Sequence, residues 1–232
     1  MKKQLLFFCL ILLSLSASAQ QFHAGLTGGL TVTDIPGMDP RDPDEDFNKL
    51  GFVAGGIVST ILSDQNDFQF ELNFIQKGSA QRPDSLNNGQ FSLALNYVEV
   101  PFVFRHRMNI NLKQKTVRRL GFECGLSLGR LVHERMLANN YTQTLSATDF
   151  NYTDISLLAG LDYLFTDHFM FSLRYSNSVI PAVKRNAIMP GFVRYSFNQG
   201  NNMVFQLSFK YIFGKATAIQ DTNNQPPPTD NQ

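Results

Sequence analysis

Eight charged residues sit where an alternating pattern turns them to the polar side of apolar segments: Glu71, Glu99, Glu123, Asp162, Arg105, Arg119, Arg174 and Lys210. If those polar sides face one another, carboxylates from one half of the chain meet cations from the other. Such a set has two chemical uses. It can neutralise itself as ion pairs filling a narrow interior, or it can line a polar path for ions. Carboxylates alone at this density would repel and drive one another toward protonation. Opposing guanidinium and ammonium groups remove that conflict. A closed, packed interior is therefore the simpler expectation, and a narrow gated path is the alternative.

Other constellations are weaker. Asp42, Asp44 and Asp46 have the 1-3-5 spacing of a calcium loop, within a segment carrying six acidic residues and one basic between Asp34 and Asp46. Phe47 stands where such a loop needs glycine, and no glutamate occupies its twelfth position, so the segment reads as a solvated acidic loop. A lipid-modifying enzyme needs a serine, a histidine and a carboxylate, or an equivalent set, within hydrogen-bond reach. His23, His106, His133 and His168 fall at strand ends or turns, away from such partners, and they are too scattered for zinc. The chain is expected to be non-enzymatic, with no cofactor, metal or catalytic residue. A second basic group, Arg105, Arg107, Lys113, Lys115, Arg118 and Arg119, gathers near one end of the pattern. Its chemistry suits phospholipid phosphates of the inner leaflet, with a periplasmic protein as the second candidate partner.

The elements that must position these groups repeat one cycle four times between Gln20 and Phe213: an outward strand, a long polar connection, a returning strand, a tight turn. Strands are expected at 21–33, 50–62, 68–79, 91–105, 117–132, 152–165, 169–176 and 203–213. In 203–213, Met203, Phe205, Leu207, Phe209, Tyr211 and Phe213 share one face, and Gln206, Ser208 and Lys210 share the other. Phe68, Phe70, Leu72 and Phe74 likewise oppose Gln69, Glu71 and Asn73. Strands one and two are rich in glycine and ambiguous in facing. Lumenal Pro101 cannot donate to a ladder and should mark a bulge or bend. Apolar outside and polar inside, with connections alternately short and long, predicts an all-β, eight-stranded antiparallel up-and-down transmembrane barrel with periplasmic turns and long outer loops.

The ends of the chain agree. Met-Lys-Lys, the apolar run Leu5 to Leu15 and the small residues Ala17-Ser18-Ala19 form a signal peptide over 1–19. The barrel then occupies 20–214, and the proline-rich 215–232 reads as a disordered periplasmic tail. The formal charge is +1, and losing Lys2 and Lys3 leaves the mature chain nearly neutral, so no nucleic-acid partner is expected. Cys9 is lost with the leader, which leaves Cys124 without an internal disulfide partner. Trp is absent, and 21 Phe and 7 Tyr must supply the interfacial aromatics.

Glu71-Leu-Asn-Phe-Ile-Gln-Lys-Gly78 followed by Tyr97-Val-Glu-Val-Pro101 resembles the paired signature of the PorT-like outer-membrane β-barrel family. The resemblance extends over nearly the whole mature chain. It implies an eight-stranded barrel in the outer membrane of Gram-negative bacteria related to Bacteroides, among outer-membrane lipid and lipopolysaccharide. The namesake is associated with type IX secretion, a role that the quoted motifs do not carry over. The expected function is that of an envelope-structural or interaction protein working through its outer loops or periplasmic face, with an envelope protein as partner. The alternatives are a small passive or gated pore, a lipid-modifying enzyme, and a soluble lipocalin-like carrier with apolar side chains inside.

Overall fold

The computed structural model describes residues 22–36, 47–81, 91–108, 110–112, 115–117, 119–138, 141–143, 150–184 and 200–213. The expected leader over 1–19, the Asp42-Asp44-Asp46 triplet, most of the fourth long connection and the expected tail over 215–232 lie outside them. Eleven strands follow in order: β1 Phe22–Asp34, β2 Lys49–Ile61, β3 Asn66–Gln81, β4 Phe91–Arg107, β5 Ile110–Leu112, β6 Lys115–Val117, β7 Leu120–Ala138, β8 Tyr141–Gln143, β9 Thr153–Leu164, β10 Phe169–Ser178 and β11 Met203–Ile212. Among the described residues there is no helix.

Eight of these strands form the wall, in the order β4-β3-β2-β1-β11-β10-β9-β7, and β7 pairs back onto β4. The first and last strands meet antiparallel from Gly25↔Ile212 to Asp34↔Met203, so the ring has no free edge. β5 and β6 make a small hairpin inside the connection between β4 and β7, and β8 extends β7 beyond the ring. The eight expected strands are all present. The shifts are at their ends, chiefly in β7, which starts later and runs on to Ala138.

Alternation assigns the two faces as the side-chain pattern requires. Phe70, Leu72 and Phe74, then Phe122, Leu126 and Leu128, then Leu207 and Phe209 are exposed on the outside. Gln69, Glu71, Asn73, Glu123, Ser208 and Lys210 are buried inside. The ambiguous strands resolve the same way, with Leu26, Leu30, Phe52 and Val58 outside and Thr27, Thr31, Val53, Ile57 and Ser59 inside. Phe70 meets Phe102 and Phe171 meets Phe209 edge-on at 5.3 Å, aromatic cross-strand pairs that hold register on the outer face.

The irregularity expected at Pro101 divides in two. Pro101 pairs regularly with Ser127 on one side. On the other, the β3–β4 ladder runs from Phe70↔Phe102 to Asn73↔Glu99 with the two intervening pairs missing, as a residue without an N–H dictates. The true register shift lies at Asn96/Tyr97, opposite His133 and Leu131, where Val132 is the extra residue of β7.

The interior is not uniformly polar, contrary to expectation. At the long-loop end Ile75, Leu93, Leu95, Leu131, Met136 and Val204 form an apolar cluster with Ile35, Phe150, Ala182 and Val183, which come from the long connections. Main-chain bonds hold that cap together: Asn151 N–H donates to Ala182 O at 3.0 Å, and Ala182 N–H donates to Gly200 O at 2.8 Å. A smaller apolar cluster, Ile57, Leu164, Met170 and Ile212, lies near the other end.

Candidate functional site: the lumenal charge network

Between the two apolar clusters the charged side chains fall into three layers along the axis. Each layer exists because inward positions on neighbouring strands come level when the registers are laid side by side.

Nearest the short turns, Arg105 Nη1 lies 3.2 Å from Asp67 Oδ1 and its Nε lies 3.0 Å from Asp162 Oδ2. Arg107 Nη2 is 3.4 Å from Asp67 Oδ2. Arg105 also donates to Gln69 Oε1. Gly121 makes the room: a Cβ there would stand 2.8 Å from both carboxylate oxygens of Asp162. Beside this layer, His23, Ser59, Asp67, Arg105, Arg107 and Met170 enclose about 20 Å³, enough for one water molecule.

The central layer joins four strands. Arg174 Nη2 is 2.8 Å from Glu71 Oε1, and its Nε is 2.9 Å from Glu123 Oε1. Lys210 Nζ is 3.3 Å from Glu71 Oε1 and 3.3 Å from Glu123 Oε2. Two carboxylates meet two cations, so the layer is neutral. Neutral donors complete it: Asn73 Nδ2 donates to Glu71 Oε2 at 2.7 Å, Gln69 Nε2 donates to Glu71 Oε1, and Ser172 Oγ–H donates to Glu123 Oε1 at 2.8 Å. Buried charges persist when paired and hydrogen-bonded in this way, because each lost water is replaced.

The third layer borders the apolar cap. Lys77 Nζ is 2.7 Å from Asp154 Oδ2 and pairs also with Glu99. Ser178 Oγ–H donates to Asp154 Oδ1 at 2.5 Å. The Lys77 ammonium lies 5.2 Å from the Tyr97 ring centroid, and the Tyr97 hydroxyl accepts from Asn202 Nδ2 at 3.3 Å.

The structure thus brings Glu71, Glu123, Arg174 and Lys210 together across the lumen. Glu99 and Asp162 are inside as well, although their cations are Lys77 and Arg105. Asp67, Lys77 and Asp154 are network members that the sequence reading did not single out. The signal was present: Asp67 and Lys77 keep the parity of Glu71, and Asp154 keeps that of Asp162.

Arg119 does not join the network. It precedes β7 at the rim, half-buried, beside a cleft lined with Leu164, Phe165, Thr166 and Asp167. The expected basic patch is corrected too, since Arg105 and Arg107 share the inward parity of β4 and are 2 % and 3 % exposed. His106 between them is exposed, with Nδ1 2.8 Å from Asn66 Oδ1. Lys113 and Arg118 lie outside the described residues, and Lys115 is placed by its backbone in β6. His168 Nδ1 is 3.2 Å from Ile212 O. Among the described residues no group of three or more His, Cys, Asp or Glu is arranged to hold a metal ion.

A closed eight-stranded antiparallel ring with an apolar exterior and an ion-paired interior defines a β-barrel membrane protein of the smallest common size. The family described as outer membrane protein beta-barrel domain matches residues 18–184, and the chain belongs to it. It is accordingly an outer-membrane protein of Gram-negative type. Solved structures that it resembles include Neisserial surface protein A, at 11 % identity over 83 % of this chain and 97 % of that one, with a TM-score of 0.42. The attachment invasion locus protein Ail of Yersinia pestis matches at 12 % identity over 83 % and 99 %, with a TM-score of 0.42. OprG from Pseudomonas aeruginosa matches at 12 % over 84 % and 97 %, with a TM-score of 0.39. Comparison with curated protein sequences returns no match.

Proposed function

We propose that this outer-membrane barrel is non-enzymatic and works as an envelope-structural or interaction module, presenting its long outer loops and its periplasmic face while its lumen stays closed. The observation that carries this reading is the central layer. Arg174 and Lys210 reach Glu71 and Glu123 from the facing wall, and ion pairs occupy the space an ion would need. The cap of Ile35, Phe150, Ala182 and Val183 over the outer mouth supports it from the other side, because a dry apolar cluster offers an ion no replacement for its water.

Its surroundings are outer-membrane lipid and lipopolysaccharide, and an envelope protein is the expected macromolecular partner. Membership of the PorT-like branch is part of the proposal. Its support is that the two halves of the signature are neighbours in space, joined by the Lys77–Glu99 ion pair and the Lys77–Tyr97 contact.

The test is planar-bilayer recording of the purified barrel. Absence of sustained ion steps is the expected result. Sustained steps would replace this reading with that of a small pore.

A further inference from the structure

Among the described residues, strand β7 carries the clearest exposed basic feature, and a bulge shapes it. Outward residues Leu120, Phe122, Cys124, Leu126 and Leu128 span nine residues of strand, the length of one membrane crossing. The next outward residue is Arg130, which is exposed. Had alternation continued, His133 and Arg135 would have pointed into the lumen. The extra residue at Val132 reverses the phase: Leu131 stays inside, Val132, His133 and Arg135 are all exposed, and Met136 enters the apolar cap. Glu134, the neighbouring carboxylate, shares the inner face with its pairing partner Leu95.

The result is three outward basic side chains above the apolar belt, with Val132 between the first two. Arg130 is held in place, with its guanidinium 5.3 Å from the Tyr152 ring centroid and Nη1 donating to Thr153 Oγ1 at 3.3 Å. Among the described residues no carboxylate pairs with Arg130, His133 or Arg135. Along the wall the same level continues as a polar ledge, where Gln76 Nε2 donates to Asn96 Oδ1 at 3.0 Å and Lys49 Nζ donates to Gln76 Oε1 at 3.4 Å. On the opposite side of the ring the corresponding outward residues, Tyr175, Phe205 and Val32, are uncharged.

We infer that the Arg130–His133–Arg135 ridge is a docking site for a phosphorylated glycolipid of the outer leaflet, taken on one side of the barrel. Acyl chains lie along Leu126 and Leu128. Arg130 meets the phosphate at the head-group level. Arg135, four pairs further along the strand because Val132 is the bulge residue and so roughly 13 Å away, meets anionic groups above it. Arginine suits this task because its planar fork matches phosphate oxygens in pairs. The inference rests on the proposed orientation, long loops outward, and names the lipid for that envelope role.

The test uses the full chain in detergent, titrated with bis-phosphorylated lipid A, the same lipid after phosphatase treatment, and phosphatidylglycerol, with adducts counted by native mass spectrometry. The wild-type barrel should retain the phosphorylated lipid roughly tenfold or more better than the dephosphorylated one, as expected for losing charge-assisted bonds. R130Q/R135Q should lose that preference, and R130K/R135K should keep part of it. Equal retention of the dephosphorylated lipid overturns the proposal, and that comparison needs no variant. Equal retention of phosphatidylglycerol overturns it as well, since the ridge would then be a general anion surface. Conductance measured on the same preparation tests the closed lumen separately, so either reading can fail alone.

Discussion

Arg174 and Glu71 stand on β10 and β3, four strands apart in a ring of eight, which is as distant as two strands of this wall can be, yet Nη2 and Oε1 are 2.8 Å apart. One side chain therefore crosses the lumen. The same guanidinium turns its Nε to Glu123 on β7, so a single residue ties three strands together through the interior. Backbone ladders hold each strand to its neighbours. Arg174 holds walls that have no ladder in common.

Removing that tie leaves Glu71 and Glu123 buried with Lys210 as their remaining cation. Replacing Arg174 with Met should therefore destabilise the barrel by about 3–5 kcal/mol, the usual result of breaking a buried pair by deleting one member. Urea titration of the protein in lipid vesicles, followed by tryptic protection or heat-modifiable migration, measures it. A change below about 1 kcal/mol would mean that the network stabilises nothing. Converting Arg174, Lys210, Glu71 and Glu123 together to Met, Met, Leu and Leu should restore much of the loss, because the desolvation cost disappears only when both cations go with both carboxylates.

Glycines divide by what lies beside them. A Cβ on Gly125 would come 1.9 Å from Phe102 O, a main-chain atom that cannot give way, whereas a Cβ on Gly28 would meet nothing within 4 Å. Gly125→Ala should cost about 1–3 kcal/mol through forced strand separation, and Gly28→Ala should stay within about 0.5 kcal/mol. The folded fraction after refolding into vesicles reads the contrast. Equal behaviour of the two would show that the β4–β7 seam tolerates more space than this spacing indicates.

The outline of the fold was legible because a lipid-facing wall demands period-two alternation, and Phe68 to Phe74 and Met203 to Phe213 display it without interruption. The central layer was legible for the same reason, since Glu71, Glu123, Arg174 and Lys210 sit at unmistakable inward positions. Which cation meets which carboxylate was not. That depends on strand stagger, which carries Lys77 to Asp154 and Glu99, and Arg105 to Asp67 and Asp162. Arg107 was misplaced because clustered basic residues near a turn look like a surface patch, although its parity with Arg105 turns it inward. The apolar cap was invisible because Ile35, Phe150, Ala182 and Val183 belong to connections, where no period marks the inward side. Glycines blurred the first two strands, since a residue without a side chain declares no face.

The cap makes a prediction about polarity. Val183 is 1 % exposed and packs among aliphatic side chains, so Val183→Asp would bury a carboxylate with no cation in that cluster. The loops should then detach while the barrel below keeps its ion pairs. Limited proteolysis of the folded protein should show faster cleavage in the long connections, with heat-modifiable migration unchanged. Loss of migration would show instead that cap and barrel fold as one unit.

The bulge at Val132 offers a sharper test, because register is counted in whole residues. Deleting Val132 removes the extra residue and lets the pairs Leu131–Tyr97 and His133–Asn96 follow one another directly, so His133 and Arg135 stay outward and Met136 stays in the cap. In a background where Cys124 is Ser, Met136→Cys should resist a membrane-impermeant maleimide, since position 136 is 1 % exposed. The same cysteine, then at position 135 of the shortened chain, should stay protected once Val132 is gone, because the deletion closes the bulge and leaves the pairing with Leu93 unchanged. Mass spectrometry of the labelled protein gives the fraction modified. Ready reaction in the shortened chain would mean instead that the strand above the deletion slips by one residue and does not close the bulge. The outward facing of His133 and Arg135 would then depend on the extra residue itself, and packing at Met136 would not suffice to hold it.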